Sequence, residues 1–82
     1  MSRLLVEVHV PTIGSTFDIS IPRNARVYEI LPLIVTAISR ISDGLFIPND
    51  VALCNGYTGS IYSNGMSVSD MLLKNGSRLM LV

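Results

Sequence analysis

The side chains able to do chemistry in this chain are few and stand apart. There is one cysteine, Cys54, and one histidine, His9, and the six carboxylates (Glu7, Asp18, Glu29, Asp43, Asp50, Asp70) are spread singly. A nucleophilic thiol needs a base within hydrogen-bond reach and a third group to orient that base. Cys54 and His9 are the single available pair, and they fall on what read as different strands. The expectation is therefore an ordinary strand thiol and a surface imidazole. A metal site needs three or four N, S or O ligands, and no such cluster is present. Asn55-Gly56-Tyr57-Thr58-Gly59 is glycine-containing, but no lysine follows as a phosphate loop requires, so it reads as a turn. The chain is expected to take no cofactor and to act without catalysis.

Composition narrows the partners. With 82 residues, 49% hydrophobic and 15% charged, the chain can pack one small core, and residues 1–82 read as a single domain. The net charge is zero, and the basic residues (Arg3, Arg23, Arg26, Arg40, Lys74, Arg78) are scattered. Phosphate neutralisation needs clustered cations, so nucleic acid is disfavoured. One cysteine excludes an internal disulfide. Leu4-Leu5-Val6 is interrupted by Glu7 and His9 before an apolar core reaches signal-peptide length, and no segment nears the ~20 apolar residues of a membrane span. The chain reads as cytoplasmic.

The elements that position these groups follow from periodicity. Leu4, Val6, Val8 and Val10 alternate with Leu5, Glu7 and His9, and Phe17, Ile19 and Ile21 alternate with Thr16, Asp18 and Ser20. Period two on both sides of Pro11-Thr12-Ile13-Gly14-Ser15 predicts a β-hairpin. Its register stays open: His9 could face Asp18 or Thr16. From Val27 the period becomes helical, through Ile30, Leu31, Ile34, Ala37, Ile38 and Ile41. Asn24 is the best nearby cap residue, Pro32 falls inside the helix with a kink expected, and Gly44 is the stop signal. Residues 46–50 read as a crossing loop. Short strands are expected at Val51–Cys54 and Ile61–Tyr62, a helical turn near Ser67–Leu73, and a last strand at Arg78–Val82.

This order of elements resembles the ubiquitin-like β-grasp fold, an α+β architecture with a mixed sheet of four to five strands packed on one helix. Val68-Ser69-Asp70 with Leu73, then Ser77, Leu79 and Leu81, is similar to the segment that precedes and forms the last strand of that fold. The resemblance implies that Ser69-Asp70 caps the small turn. More narrowly, Phe17-Asp18-Ile19-Ser20-Ile21-Pro22, the apolar helix Ile30-Leu31-Pro32-Leu33-Ile34-Val35 and the ending Asn75-Gly76-Ser77-Arg78-Leu79-Met80-Leu81-Val82 resemble the YukD/EsaB family of Gram-positive type VII secretion loci. Pro32 departs from that family's pattern. The resemblance implies a non-enzymatic cytosolic accessory that binds a protein of the secretion apparatus. A related reading is the cytosolic domain of an EccD-like membrane component.

The chain stops at Val82, inside its last expected strand. Ubiquitin-like modifiers and sulfur carriers activate the carboxylate of a flexible glycine tail. Without one, such a role would require a truncated tail, which is the alternative reading. What remains is surface. If Val51, Leu53, Leu79 and Leu81 point inward, Ala52, Cys54, Met80 and Val82 point outward by period two and form a small apolar surface for a partner. Leu33 and Val35 fall off the core stripe of the helix and offer a second surface, for a partner or a second copy in a homodimer.

Overall fold

The computed structural model describes residues 2–46, 48 and 50–82. Ile47 and Asn49, part of the expected crossing loop, lie outside the described residues. The hairpin forms as β1 (Arg3–Val10) and β2 (Ser15–Pro22), joined by a turn in which Gly14 takes φ 63°. The register places His9 opposite Thr16 rather than Asp18, with eight cross-strand pairs and no bulge. Helix α1 (Val27–Ile41) crosses next, then β3 (Leu53–Asn55), a 3₁₀ turn at Ser69–Met71 and β4 (Arg78–Leu81). The sheet order is β2-β1-β4-β3, with β1 and β4 parallel and the other pairs antiparallel. This is the ubiquitin-like β-grasp: a mixed four-stranded sheet with one helix.

The alternation of the sequence becomes the two faces of the sheet. Leu4, Val6, Val8, Val10, Ile19, Ile21, Leu53, Leu79 and Leu81 are buried under Val27, Ile30, Ile34 and Ile38 of the helix. Each such side chain contributes about 1.5–3 kcal/mol on burial, so this layer dominates the stability of the fold. Ile41 lies on the same stripe but is the last helical residue, one turn past its buried neighbour Ile38, and is 60% exposed.

Several local expectations are corrected. The helix begins at Val27 with Arg26, not Asn24, at the cap position. The Glu29 carboxylate accepts the Arg26 N–H at 3.0 Å, and the carbonyls of Met66 and Asn64 take the Val27 and Tyr28 N–H groups at 2.9 and 3.0 Å. A segment distant in sequence thus satisfies the donors that a helix start leaves open. Helix α1 runs unbroken through Pro32, whose ring is solvent-exposed. It ends in a Schellman arrangement: Gly44 N–H to Ser39 C=O and Asp43 N–H to Arg40 C=O, both 3.2 Å. The left-handed residue before Gly44 is Asp43, with φ 54°.

Ile61–Tyr62 forms no strand; Ile61 makes an isolated bridge to Cys54. The 3₁₀ turn has no side-chain cap from Asp70. Instead, the Ser67 hydroxyl accepts the Asp70 N–H at 3.2 Å, and Ser69 donates to the Arg23 carbonyl at 3.5 Å.

Candidate functional site: the open sheet face

The face of the sheet away from the helix is built from the alternate residues of β1 and β4. Parallel pairing sets Glu7 beside Arg78 and His9 beside Met80. Antiparallel pairing sets Cys54 on the other side of Met80. The ladder continues past β3 and β4, for Ala52 and Val82 exchange both backbone hydrogen bonds, at 2.7 and 3.0 Å. Met80 therefore sits at the centre, flanked by His9 and Cys54, with Ala52 and Val82 one step along.

Polar groups ring this centre. The Arg78 Nε lies 3.4 Å from Glu7 Oε1, and its guanidinium carbon is 5.9 Å from the Tyr57 ring centroid. Both partners of that ion pair are exposed, so it contributes at most about 1 kcal/mol. His9 Nδ1 is 3.0 Å from Thr16 Oγ1, which turns the imidazole toward β2. Between these groups lies a shallow depression of about 320 Å³, lined by Glu7, His9, Thr16, Gly56, Arg78 and Met80.

The structure brings three of the four residues of the expected apolar surface to this face. Val82 is 46% exposed, and Ala52 and Met80 are half-buried. Cys54 is the correction: it is on the outward side by parity yet 2% exposed. Residues 55–62 fold back over it, held by Asn55 N–H to Ser60 C=O at 2.8 Å and Tyr62 N–H to Leu53 C=O at 2.9 Å. The same segment brings Ile61 and Tyr57, both exposed, to the rim. Sequence reasoning missed them because it read this stretch as a turn and a strand, whereas Asn55 Oδ1 accepts the N–H groups of Tyr57 and Thr58 and winds it into a cap.

On the helix, Leu33 is 55% exposed, whereas Val35 packs against the flank of the core. Of the second expected surface, Leu33 alone projects freely.

The structure keeps the one candidate pair apart. Cys54 and His9 are two strands apart with Met80 between them, about 10 Å at the usual strand spacing. Among the described residues, no three His, Cys, Asp or Glu side chains are grouped as metal ligands. Nor, among them, is any helix long and apolar enough to cross a membrane.

No family model matches the chain, and neither does any curated protein. Solved structures do match over its full length. The EccD5 ubiquitin-like domain from Mycobacterium xenopi superposes with a TM-score of 0.81 at 13% identity, covering 100% of this chain and 94% of that one. The ubiquitin-like domain of the Mycobacterium tuberculosis type VII secretion protein EccD1 gives 0.78 at 18% identity, covering 100% and 99%. A chain of the MycP5-free ESX-5 inner membrane complex gives 0.81 at 19% identity, but the match spans 21% of that chain. These likenesses establish the fold. At such identities they reach no further, since a toluene 4 monooxygenase complex offers the same frame at 8% identity and a TM-score of 0.76.

Proposed function

We propose that this chain is a non-catalytic, cytosolic ubiquitin-like module of the YukD/EsaB kind, serving a Gram-positive type VII secretion system by binding another protein of the apparatus. The observation that supports a type VII secretion role is the end-to-end likeness to EccD ubiquitin-like domains, which reaches nearly all of both chains; the YukD/EsaB kind rests on the sequence resemblance alone. The docking surface in this reading is the open sheet face around Met80, with Ala52 and Val82 beside it and Tyr57 and Ile61 at the rim. Methionine suits such a centre because its flexible, polarizable side chain adapts to varied partners.

A second reading draws on one specific observation. In the ESX-5 complex the matched region is about a fifth of a longer chain, so this sequence would equally suit the cytosolic domain of an EccD-like membrane component. The encoding reading frame separates the two: continuation into several apolar runs of about 20 residues favours the second.

The test of the binding surface is Met80→Asp. A charge at the centre of an apolar contact leaves a desolvated carboxylate unpaired, so capture of a partner from the secretion apparatus should be lost. The circular dichroism melt should stay nearly unchanged because Met80 points away from the core. Equal capture by the variant would remove this face from the proposal.

A further inference from the structure

The two edges of the sheet are treated differently. On the β3 side, three paired residues are followed by the 55–62 segment, which folds back and bridges Cys54 to Ile61. That edge is covered. On the β2 side, eight residues run without a bulge, a lysine or an internal proline, and Asp18 is the one charge on the strand itself. Bulges, lysines and prolines are devices that usually blunt an exposed edge.

The hydrogen-bond phase shows which groups this edge presents. Arg23 N–H donates to Ser2 C=O at 3.2 Å, and Glu7 N–H donates away from β2, to Ser77 C=O at 2.9 Å. With the observed register, even-numbered residues of β1 exchange bonds with Ser15, Phe17, Ile19 and Ile21. The N–H and C=O groups of Thr16, Asp18 and Ser20 therefore point outward, into the open. One is taken: Arg3 donates to the Ser20 carbonyl at 2.9 Å. The remainder form a main-chain template at alternate residues.

Charge specifies what would pair with it. Asp18 stands directly opposite Glu7 on β1, a like-charged cross-strand pair. Arg78 neutralises Glu7, whereas Asp18 has no ion-pair partner among the described residues. A strand added to this edge places one of its residues directly beside Asp18, and a cation there relieves the repulsion. The flanking residues of that strand would lie on the helix side, next to the half-buried Phe17. A second copy's β2 fits poorly, because residues 15–21 contain no Lys or Arg to meet Asp18.

The geometry points to β2 as the acceptor strand for an extended peptide of alternating apolar and basic residues, paired through Thr16, Asp18 and Ser20 with a basic side chain beside Asp18. This edge is two strands from β4, so Asp18 and Ser20 report on it separately from the Met80 face although Thr16 borders both, and it stands whether or not that face binds a partner.

The probe is a blocked heptapeptide alternating valine with lysine, titrated into the isotopically labelled full chain and followed by amide NMR. The expected result is shifts and slowed hydrogen exchange concentrated at Thr16, Asp18 and Ser20. The valine–glutamate counterpart should bind more weakly. Asp18→Asn, an exposed change that leaves the core intact, should weaken the lysine peptide by about two- to five-fold. Asp18→Lys should reverse the preference between the two peptides. Methylating alternate backbone nitrogens of the probe should abolish binding while leaving the protein untouched. Equal binding after methylation, equal affinity for the glutamate peptide, or shifts confined to the Met80 face or absent would each overturn the inference. Shifts of the β2 amides with protein concentration alone would overturn it too, in favour of a second copy at this edge.

Discussion

Gly56 has no Cβ where one would lie 2.7 Å from the Arg78 carbonyl carbon, and its N–H donates to the Arg78 carbonyl at 2.9 Å. Backbone cannot yield as a flexible side chain can, so Gly56→Ala should lift residues 55–62 from the sheet and cost about 1–3 kcal/mol, read by urea unfolding. It should also raise the reactivity of Cys54 toward a thiol reagent, since that segment is its cover. Leu72 is strained in the opposite sense: its φ is 56°, and it is 87% exposed. Left-handed backbone costs a leucine roughly 1–2 kcal/mol, and Asn tolerates it better. Leu72→Asn should therefore raise the melting temperature by several degrees. Tyr62 supplies a pH signature. Burial pushes its phenol above the ordinary 10.0, and a hydrogen bond with the Asn55 side chain pulls the other way. The folded state then holds the proton longer than the unfolded state. Its contribution is full below the unfolded value and is lost as pH rises from there through the folded one. Tyr62→Phe should flatten the fall in urea midpoint as pH rises above about 10. At this scale the sequence spoke unevenly. The Asn55-Gly56 turn was legible because its side-chain chemistry is local, whereas the left-handed Leu72 was not, because leucine carries no signal for that conformation.

Helix α1 shows why element existence is easier to read than element ends. Its apolar stripe is a local property, and the span Val27–Ile41 matches the periodicity. Its start is not local: the first donors are met by carbonyls of residues 64 and 66, nearly forty positions away, and Arg26 Nη1 reaches the Gly65 carbonyl at 2.7 Å. No cap motif near Val27 could have announced that. Pro32 is the converse, a strong local breaking signal inside a helix that continues on both sides of it. Packing of Ile30, Ile34 and Ile38 holds the helix together although the Tyr28 carbonyl loses its N–H partner. Because the proline is exposed and outside the packed stripe, Pro32→Ala restores that bond without disturbing the core. The variant should gain about 1–3 kcal/mol in denaturant unfolding, somewhat less than the full helix-interior penalty of proline because the freed carbonyl is open to water. A loss of stability on substitution would mean that the ring makes a contact the helix needs.

At the scale of the whole molecule, the last strand is one of the two inner strands of the sheet. β4 enters between β1 and β3, so it pairs on one side with a strand about seventy positions back in the chain, Glu7 with Arg78, and on the other with β3. Leu79 and Leu81 are fully buried beneath the helix while Met80 faces out, so one short strand both closes the core and centres the candidate binding face. The alternation of that strand was legible; its parallel partner was supplied by the fold resemblance, since period two says nothing of which strand lies alongside. The cover over Cys54 escaped because it depends on a loop crossing a sheet edge. This architecture orders local stability in a way hydrogen exchange can read. The amides of Val6, Val8 and Met80 lie in the middle of the sheet and should exchange only when the whole domain opens. Those of Tyr57, Thr58 and Gly59 belong to an exposed segment held by turn hydrogen bonds, and should exchange orders of magnitude faster by local opening. Leu79→Ala, a cavity beneath this inner strand, should cost about 2–5 kcal/mol and speed the slow group in proportion. Met80→Asp should leave that group nearly unchanged. If both substitutions accelerated the slow amides alike, Met80 would be supporting the fold itself, and the sheet could not present it to a partner without cost to stability.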